Sequence, residues 1–167
     1  MSCPQVQEAV SDLLPTQLGV AVEGACETKA MAIQQWVGEY GSLAEYSILQ
    51  VDLANAFNSL DRHHMLHQVA LRAPQLSAWA SFCYRSHSHL FLQNGHPLSS
   101  QQGVQQGDPL GPLFFSLAWH SVIEALPTNL SMNLWYLDDG HLIGTPDSLR
   151  SYLAILESEG AKIGMCV

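Results

Sequence analysis

The sequence predicts an α+β fold: antiparallel strands paired through hairpins, with helices packed against one face. Three observations point there. Short runs rich in β-branched and aromatic residues, at 46–53 and 134–137, adjoin glycine or acidic turn signals. Longer stretches, at 113–126 and after Thr145-Pro146, carry apolar residues at helical spacing. The two kinds do not alternate as repeating βαβ units. A chain of 167 residues with 47% hydrophobic and 13% charged residues can bury a sizeable core and is no disordered tail. No run of about 18 apolar residues could span a bilayer as a helix.

In order along the chain, residues 1–20 read as an irregular lead-in broken by Pro4, Pro15 and Gly19. From 23 to 37, Cys26, Ala30, Ile33 and Val37 recur at helical spacing until Gly38 and Gly41 interrupt. The 46–53 run is a strand that carries Asp52 at its end. Ser59 or Asp61 then caps a helix with Leu66, Val69, Ala70 and Ala73 on one face. Pro74 stops it, and 75–85 forms a further helix. Residues 89–93 lead into Asn94-Gly95, the favoured pair for a tight hairpin, and Pro97 confines the return strand to an edge. A polar, glycine-rich loop at 101–112 precedes the 113–126 helix, which is apolar nearly all round and hence deeply buried. The 134–137 strand runs into Asp138-Asp139-Gly140, and Leu142 and Ile143 continue beyond: a hairpin with the acids at its turn. Thr145 caps the last helix with Pro146 at its first position, Leu149, Leu153 and Leu156 form its inner face, and Gly160 ends it.

Charge narrows the function. Six Lys+Arg against fifteen Asp+Glu give a net charge of -9, which argues against a generic phosphate-backbone binder. The four cysteines, Cys3, Cys26, Cys83 and Cys166, form no C-x-x-C pair and read as reduced thiols of an intracellular protein. Against that background, Asp52 and the Asp138-Asp139 pair stand out beside apolar strands. Burying such carboxylates costs several kcal/mol unless a cation pairs with them. The basic residue nearest Asp52 in sequence is Arg62, well past the strand. A divalent metal is the obvious counter-charge, and Mg²⁺ is suited by one or two carboxylates plus waters and phosphates. Taken alone, Asp139-Gly140 is better read as a plain turn. His63, His64 and His67, and the looser Cys83, His87 and His89, match no complete metal site and read as solvated or partly packed. Trp36, Trp79, Trp119 and Trp135 could stack bases but read mostly as core.

A third element decides the matter: the run from Gly103 through Gln106-Gly107-Asp108-Pro109-Leu110-Gly111-Pro112 to Phe115. With Asp52-Leu53-Ala54-Asn55-Ala56-Phe57 before it and Tyr136-Leu137-Asp138-Asp139 after it, the chain resembles the palm of a reverse transcriptase of the non-LTR (LINE-type) retrotransposon kind. Pro15-Thr16-Gln17-Leu18-Gly19-Val20 resembles the segment that precedes that palm. The resemblance implies a lead-in and fingers remnant at 1–45 and a palm at 46–167. It implies an RNA-directed DNA polymerase, a nucleotidyltransferase adding dNTPs to a primer 3′-hydroxyl with two Mg²⁺ ions, which Mn²⁺ can replace. Asp52, Asp138 and Asp139 are the implied catalytic and metal-binding acids, with the Leu53 carbonyl as a further metal ligand. Phe57, Gln106, Gly107 and Tyr136 are the implied substrate-binding residues, Phe57 as the ring that excludes a ribose 2′-hydroxyl. Read without the family, Phe57 is a core residue under a helix start, and Asp108 a helix cap.

The implied partners are an RNA template, a DNA primer and a dNTP, with no membrane. The chain departs from the pattern at Gln105, usually proline, and at Leu137, usually smaller; Lys162 comes too early for the family's pyrophosphate-protonating lysine. Basic fingers strands are expected before Pro15 and a thumb after Val167. The 167 residues alone should therefore bind dNTP poorly, extend a primer weakly or not at all, and expose an apolar patch. Two other readings compete. One is a catalytically silent, retrotransposon-derived remnant or interaction domain; the other is an unrelated cation-binding α+β domain, which requires Asp52 and Asp138 to lie far apart.

Overall fold

A computed structural model describes residues 4–91, 93, 95–127 and 129–167. The elements are α1 (Pro4–Ser11), α2 (Ala25–Tyr40), β1 (Ser47–Val51), α3 (Ala56–Ser59), α4 (Arg62–Arg72), a single 3₁₀ turn (Pro74–Leu76), α5 (Ser77–Tyr84), β2 (Ser88–Phe91), β3 (Pro97–Ser100), α6 (Gly111–Glu124), β4 (Met132–Tyr136), β5 (Asp139–Gly144) and α7 (Pro146–Lys162). Strands pair antiparallel in the order β1-β5-β4, and β2-β3 forms a separate ribbon. The expected α+β fold is therefore the observed one. Asn94, expected at the β2–β3 turn, lies outside the described residues, as do Leu92 and Cys3.

The core is built where the periodicity is strongest. Helix α6 buries Leu113, Phe114, Phe115, Leu117, Ala118 and Trp119, as an all-round apolar helix must. Trp119 meets Trp135 of β4 edge-on at 5.4 Å between ring centroids, a preferred aromatic geometry. Helix α7 packs on β5 and β1 and against α6. Its cap is as expected: the Thr145 hydroxyl accepts from the Ser148 amide at 3.3 Å. Asp61, not Ser59, caps α4, accepting from the His64 amide at 2.7 Å.

Several expectations need correction. Residues 4–11 are helical rather than irregular, and Ala9, Val10 and the following Leu13 join the core. Helix α2 runs through Gly38 to Tyr40, and only Gly41 caps it. Its expected stripe faces outward: Cys26, Ala30 and Val37 are exposed, while Ala25 and Lys29 are buried. Lysine carries a long aliphatic stem that buries as an apolar residue does. On α4, Met65 rather than Ala70 faces the core; on α7, Tyr152 takes the position assigned to Leu153, and the helix continues past Gly160. Trp119 and Trp135 are core, but Trp79 is 51% exposed beside Phe82 at 80%. Asp108 lies two residues before the cap position of α6; its carboxylate accepts from the Leu110 amide at 2.9 Å.

Two histidines tie this core to pH. Burial pulls the pKa of both His64 and His120 below the usual 6.5. His120 faces Glu124, Arg72 and Asp12, and His64 faces Asp61, His63 and His67. Both are therefore neutral in the fold when the unfolded chain already takes up protons. Stability should fall as pH drops through about 6.5. Thermal melts at pH 7.5 and 5.5 check this; the drop should shrink in His120→Gln.

Candidate active site

Strand pairing brings the acids together. Val51 of β1 pairs with Gly140 of β5, and Tyr136 of β4 with Asp139 of β5. Asp52, one residue past Val51, thus emerges at the end of the sheet where β4 turns into β5. Neighbouring strands lie about 4.8 Å apart, so Asp52 sits beside the Asp138-Asp139 turn. Electrostatics agree: burial above all raises the pKa of the Asp138 carboxyl, and Asp139 and Asp52 add like-charge repulsion. The reading that needed Asp52 and Asp138 far apart is overturned. Asp52 and Asp139 are exposed and Asp138 half-buried.

The turn itself is Leu137-Asp138, with Leu137 at φ 55°; of the two acids expected there only Asp138 is in it, and Asp139 is already the first residue of β5, paired with Tyr136. A non-glycine residue in that left-handed region costs roughly 1–2 kcal/mol. Gly140 plays no part in the turn. It lies in β5, where an added Cβ would come 2.7 Å from the Trp135 ring. The glycine of Asp-Asp-Gly therefore serves sheet packing, which corrects its reading as a turn signal.

The polar loop is fastened from below. Arg62, 6% exposed, donates from Nε to the Gly103 carbonyl and from Nη1 to the Ser100 carbonyl, each at 2.8 Å. Its Nη2 donates to the Ser100 hydroxyl at 2.8 Å. The guanidinium also lies over the Tyr84 ring, 5.4 Å from its centroid. The Tyr84 hydroxyl donates to the Asp108 carboxylate at 2.5 Å and accepts from the Gln105 amide at 3.2 Å. Burial first, then Asp108, raises the Tyr84 pKa. Gly103 has φ 72° and rests on the backbone of Phe57 and Asn58, so the loop abuts the segment after Asp52. Gln106 and Gly107 are exposed at its tip, Gly107 at φ 96°.

Phe57 is half-buried and stacks on Phe115, with centroids 4.5 Å apart and planes 14° from parallel. One face is thus held by the core. Leu53 is buried. Tyr136 is half-buried, with the Lys29 ammonium 5.9 Å from its ring centroid. Lys29 also donates to the Asp139 carbonyl at 3.5 Å. Lys162 instead pairs with Glu159 at 2.7 Å on the outside of α7.

Sequence reasoning missed four residues here, among them Tyr84, which joins Asp108 to the Gln105 amide. Lys29 lies on a remote helix, and Arg62 was set aside as too far along the chain. Gln17 is fully buried, and its carboxamide bonds both peptide groups of Leu137. Nothing local marks a glutamine that pairs with backbone 120 positions away.

Among the described residues no three His, Cys, Asp or Glu side chains converge as a ready-made metal cage. The donor set nevertheless suits Mg²⁺, which takes one or two carboxylates and completes its shell with waters and phosphates. The concentration of like charge at Asp52, Asp138 and Asp139 is the feature a divalent ion would relieve.

The family model for Reverse transcriptase (RNA-dependent DNA polymerase) matches residues 10–167. No curated protein matches the chain. Similar solved structures include apo telomerase from Candida tropicalis (TM-score 0.68, 12% identity, covering 98% of this chain and 35% of that one). A form of that telomerase truncated from the C-terminal domain gives TM-score 0.67 and 13% identity over 96% of this chain and 37% of that one. Candida albicans telomerase in complex with the TWJ fragment of telomeric RNA gives 0.66 and 14% over 98% of this chain and 32% of that one. The chain thus spans about a third of the length of those structures, and at such identity the likeness shows the fold. The match of the family model over nearly the whole chain, on a fold whose sheet gathers the expected acids, places the chain in the reverse transcriptase (RNA-dependent DNA polymerase) family.

Proposed function

We propose that this chain is the palm of an RNA-directed DNA polymerase of the non-LTR retrotransposon kind, adding dNTPs to a primer on an RNA template. The observation that carries the proposal is the antiparallel pairing that sets Asp52 beside the Asp138-Asp139 turn. Asp52, Asp138, Asp139 and the Leu53 carbonyl would hold two Mg²⁺ ions, or Mn²⁺ in their place. When bound, such ions lower the pKa of a hydroxyl and neutralise charge on a departing pyrophosphate.

The chain's own residues supply the setting. Asp52 and Asp139 present exposed carboxylates as hard oxygen donors. Asp138, half-buried, is held in a fixed direction by the turn. Phe57, backed by Phe115, offers a ring that cannot retreat, so an added 2′-hydroxyl on the sugar meets it sterically. Gln106 and Gly107 sit at the tip of a loop pre-set by Arg62 and Tyr84, where the missing Cβ of glycine lets a base or sugar approach the backbone. Tyr136 flanks the turn, with Lys29 as the nearby cation. Preorganised groups of this kind need no rearrangement when charge develops.

The test is a Mn²⁺ titration of the chain followed by electron paramagnetic resonance. Asp52→Asn should weaken binding at least tenfold, since loss of even an outer-sphere partner of a metal site costs about that much. An affinity unchanged by that substitution would overturn the proposal.

A further inference from the structure

We infer that Gln17 is a positioning residue for the catalytic acids, a side-chain clamp that sets the conformation of Leu137 and thereby the direction of Asp138. The inference deepens the polymerase reading and rests on it.

Gln17 is fully buried. Its Oε1 accepts from the Leu137 amide at 2.8 Å, and its Nε2 donates to the Leu137 carbonyl at 3.0 Å. These groups belong to different peptide planes, one on each side of the Leu137 Cα. The rotations between those planes are φ and ψ of Leu137. One planar carboxamide holding both therefore fixes both angles, at the left-handed φ of 55° that a leucine otherwise avoids. Asp138 follows directly, so its carboxylate inherits the orientation.

The clamp is itself anchored. The Trp135 amide donates to the Thr16 carbonyl at 2.7 Å, and the Leu18 amide to the Trp135 carbonyl at 2.8 Å. Residues 16–18 thus form a parallel bridge along the free edge of β4. Gln17 Oε1 also accepts from the Gly19 amide at 3.0 Å, which fixes the carboxamide's own rotation. Gly19 completes the cradle: a Cβ there would come 2.5 Å from the Leu137 nitrogen. The segment before the palm thereby reaches over to the acid turn, which no local pairing of β4 with β5 would require.

The experiment compares Gln17→Met, Gln17→Asn, Leu137→Gly, Asp138→Asn and the Gln17→Met/Leu137→Gly double variant in the chain. Two quantities are read: Mn²⁺ affinity by paramagnetic resonance, and hydrogen exchange of the Leu137 amide. Gln17→Met should weaken Mn²⁺ binding about tenfold or more, as loss of an outer-sphere orienting group does. It should also speed Leu137 exchange at least about tenfold, since the bond to Gln17 is lost. Glycine adopts φ above zero freely, so Leu137→Gly should restore most of the affinity lost in Gln17→Met. A merely structural glutamine would yield no such rescue, because independent losses add. Gln17→Asn, polar but one methylene short, guards against misfolding of the methionine variant and should also lose affinity. Unchanged Leu137 exchange in both Gln17 variants, or a double variant worse than Gln17→Met alone, overturns the clamp. Should Asp138→Asn leave Mn²⁺ binding intact, the polymerase reading fails instead. Loss in Asp138→Asn beside full affinity in both Gln17 variants would sink the clamp alone.

Discussion

Replacing Arg62 with methionine should destabilise the chain by about 3 kcal/mol, a fall in Tm of roughly 6–12 °C for a domain of this size. The stem volume is nearly kept, so the loss is polar. Three acceptors, the Gly103 and Ser100 carbonyls and the Ser100 hydroxyl, lose their donor at once. Each acceptor left unpaired away from water costs about 1–3 kcal/mol, and Ser100, half-exposed, regains part from solvent. Burial already pulls the Arg62 pKa down, so part of the desolvation cost is recovered when the charge goes. Arg62→Lys should do little better, because an ammonium cannot span three acceptors and also lie flat on the Tyr84 ring. Circular dichroism melts of both variants check this. A Tm within 2 °C of the parent, on the order of half a kcal/mol, would show that the loop stands without its fastening.

Much of the fold was legible because strong local patterns agreed with the tertiary one. The β4–β5 hairpin was readable from the apolar runs on either side of two acids, and α6 from a stretch that is apolar nearly all round. What escaped was non-local. Cys26, Ala30 and Val37 have helical spacing, but so do Ala25 and Lys29, and only the packing of α2 chooses between the stripes. Helix α1 hid behind Pro4, which suits the first turn of a helix as well as a loop. In the site, the acids were legible by residue type and family pattern, whereas their supports were not. Gln17, Lys29, Arg62 and Tyr84 act across long sequence separations. Their partners are backbone groups, rings and side chains, among them the Asp108 carboxylate and the Ser100 hydroxyl, that no sequence pattern displays together.

Asp138→Asn should have opposite effects on stability and on metal binding, and the contrast tests the electrostatics of the site. Burial and the repulsion of Asp139 and Asp52 raise the Asp138 pKa. A carboxyl whose folded pKa lies above its unfolded one costs stability wherever it is ionised, so the native state is favoured as pH falls through that window. Above that window the group is charged and the cost is present. An isosteric neutral amide removes it, and Tm should rise without metal. Salt shortens the range over which partly exposed carboxylates repel one another, so the gain should shrink in high salt. It should vanish below the usual carboxylate pKa of 3.8, where the parent residue is neutral too. Mn²⁺ should reverse the order, stabilising the parent by binding only its folded state and leaving the variant, with its affinity at least about tenfold weaker, nearly unmoved. Scanning fluorimetry across salt, pH and Mn²⁺ reads all of these. A variant that melts below the parent in metal-free, low-salt buffer at pH 7 would mean that the three acids do not strain the fold. A site spread that widely would have no need of a divalent ion to hold it together.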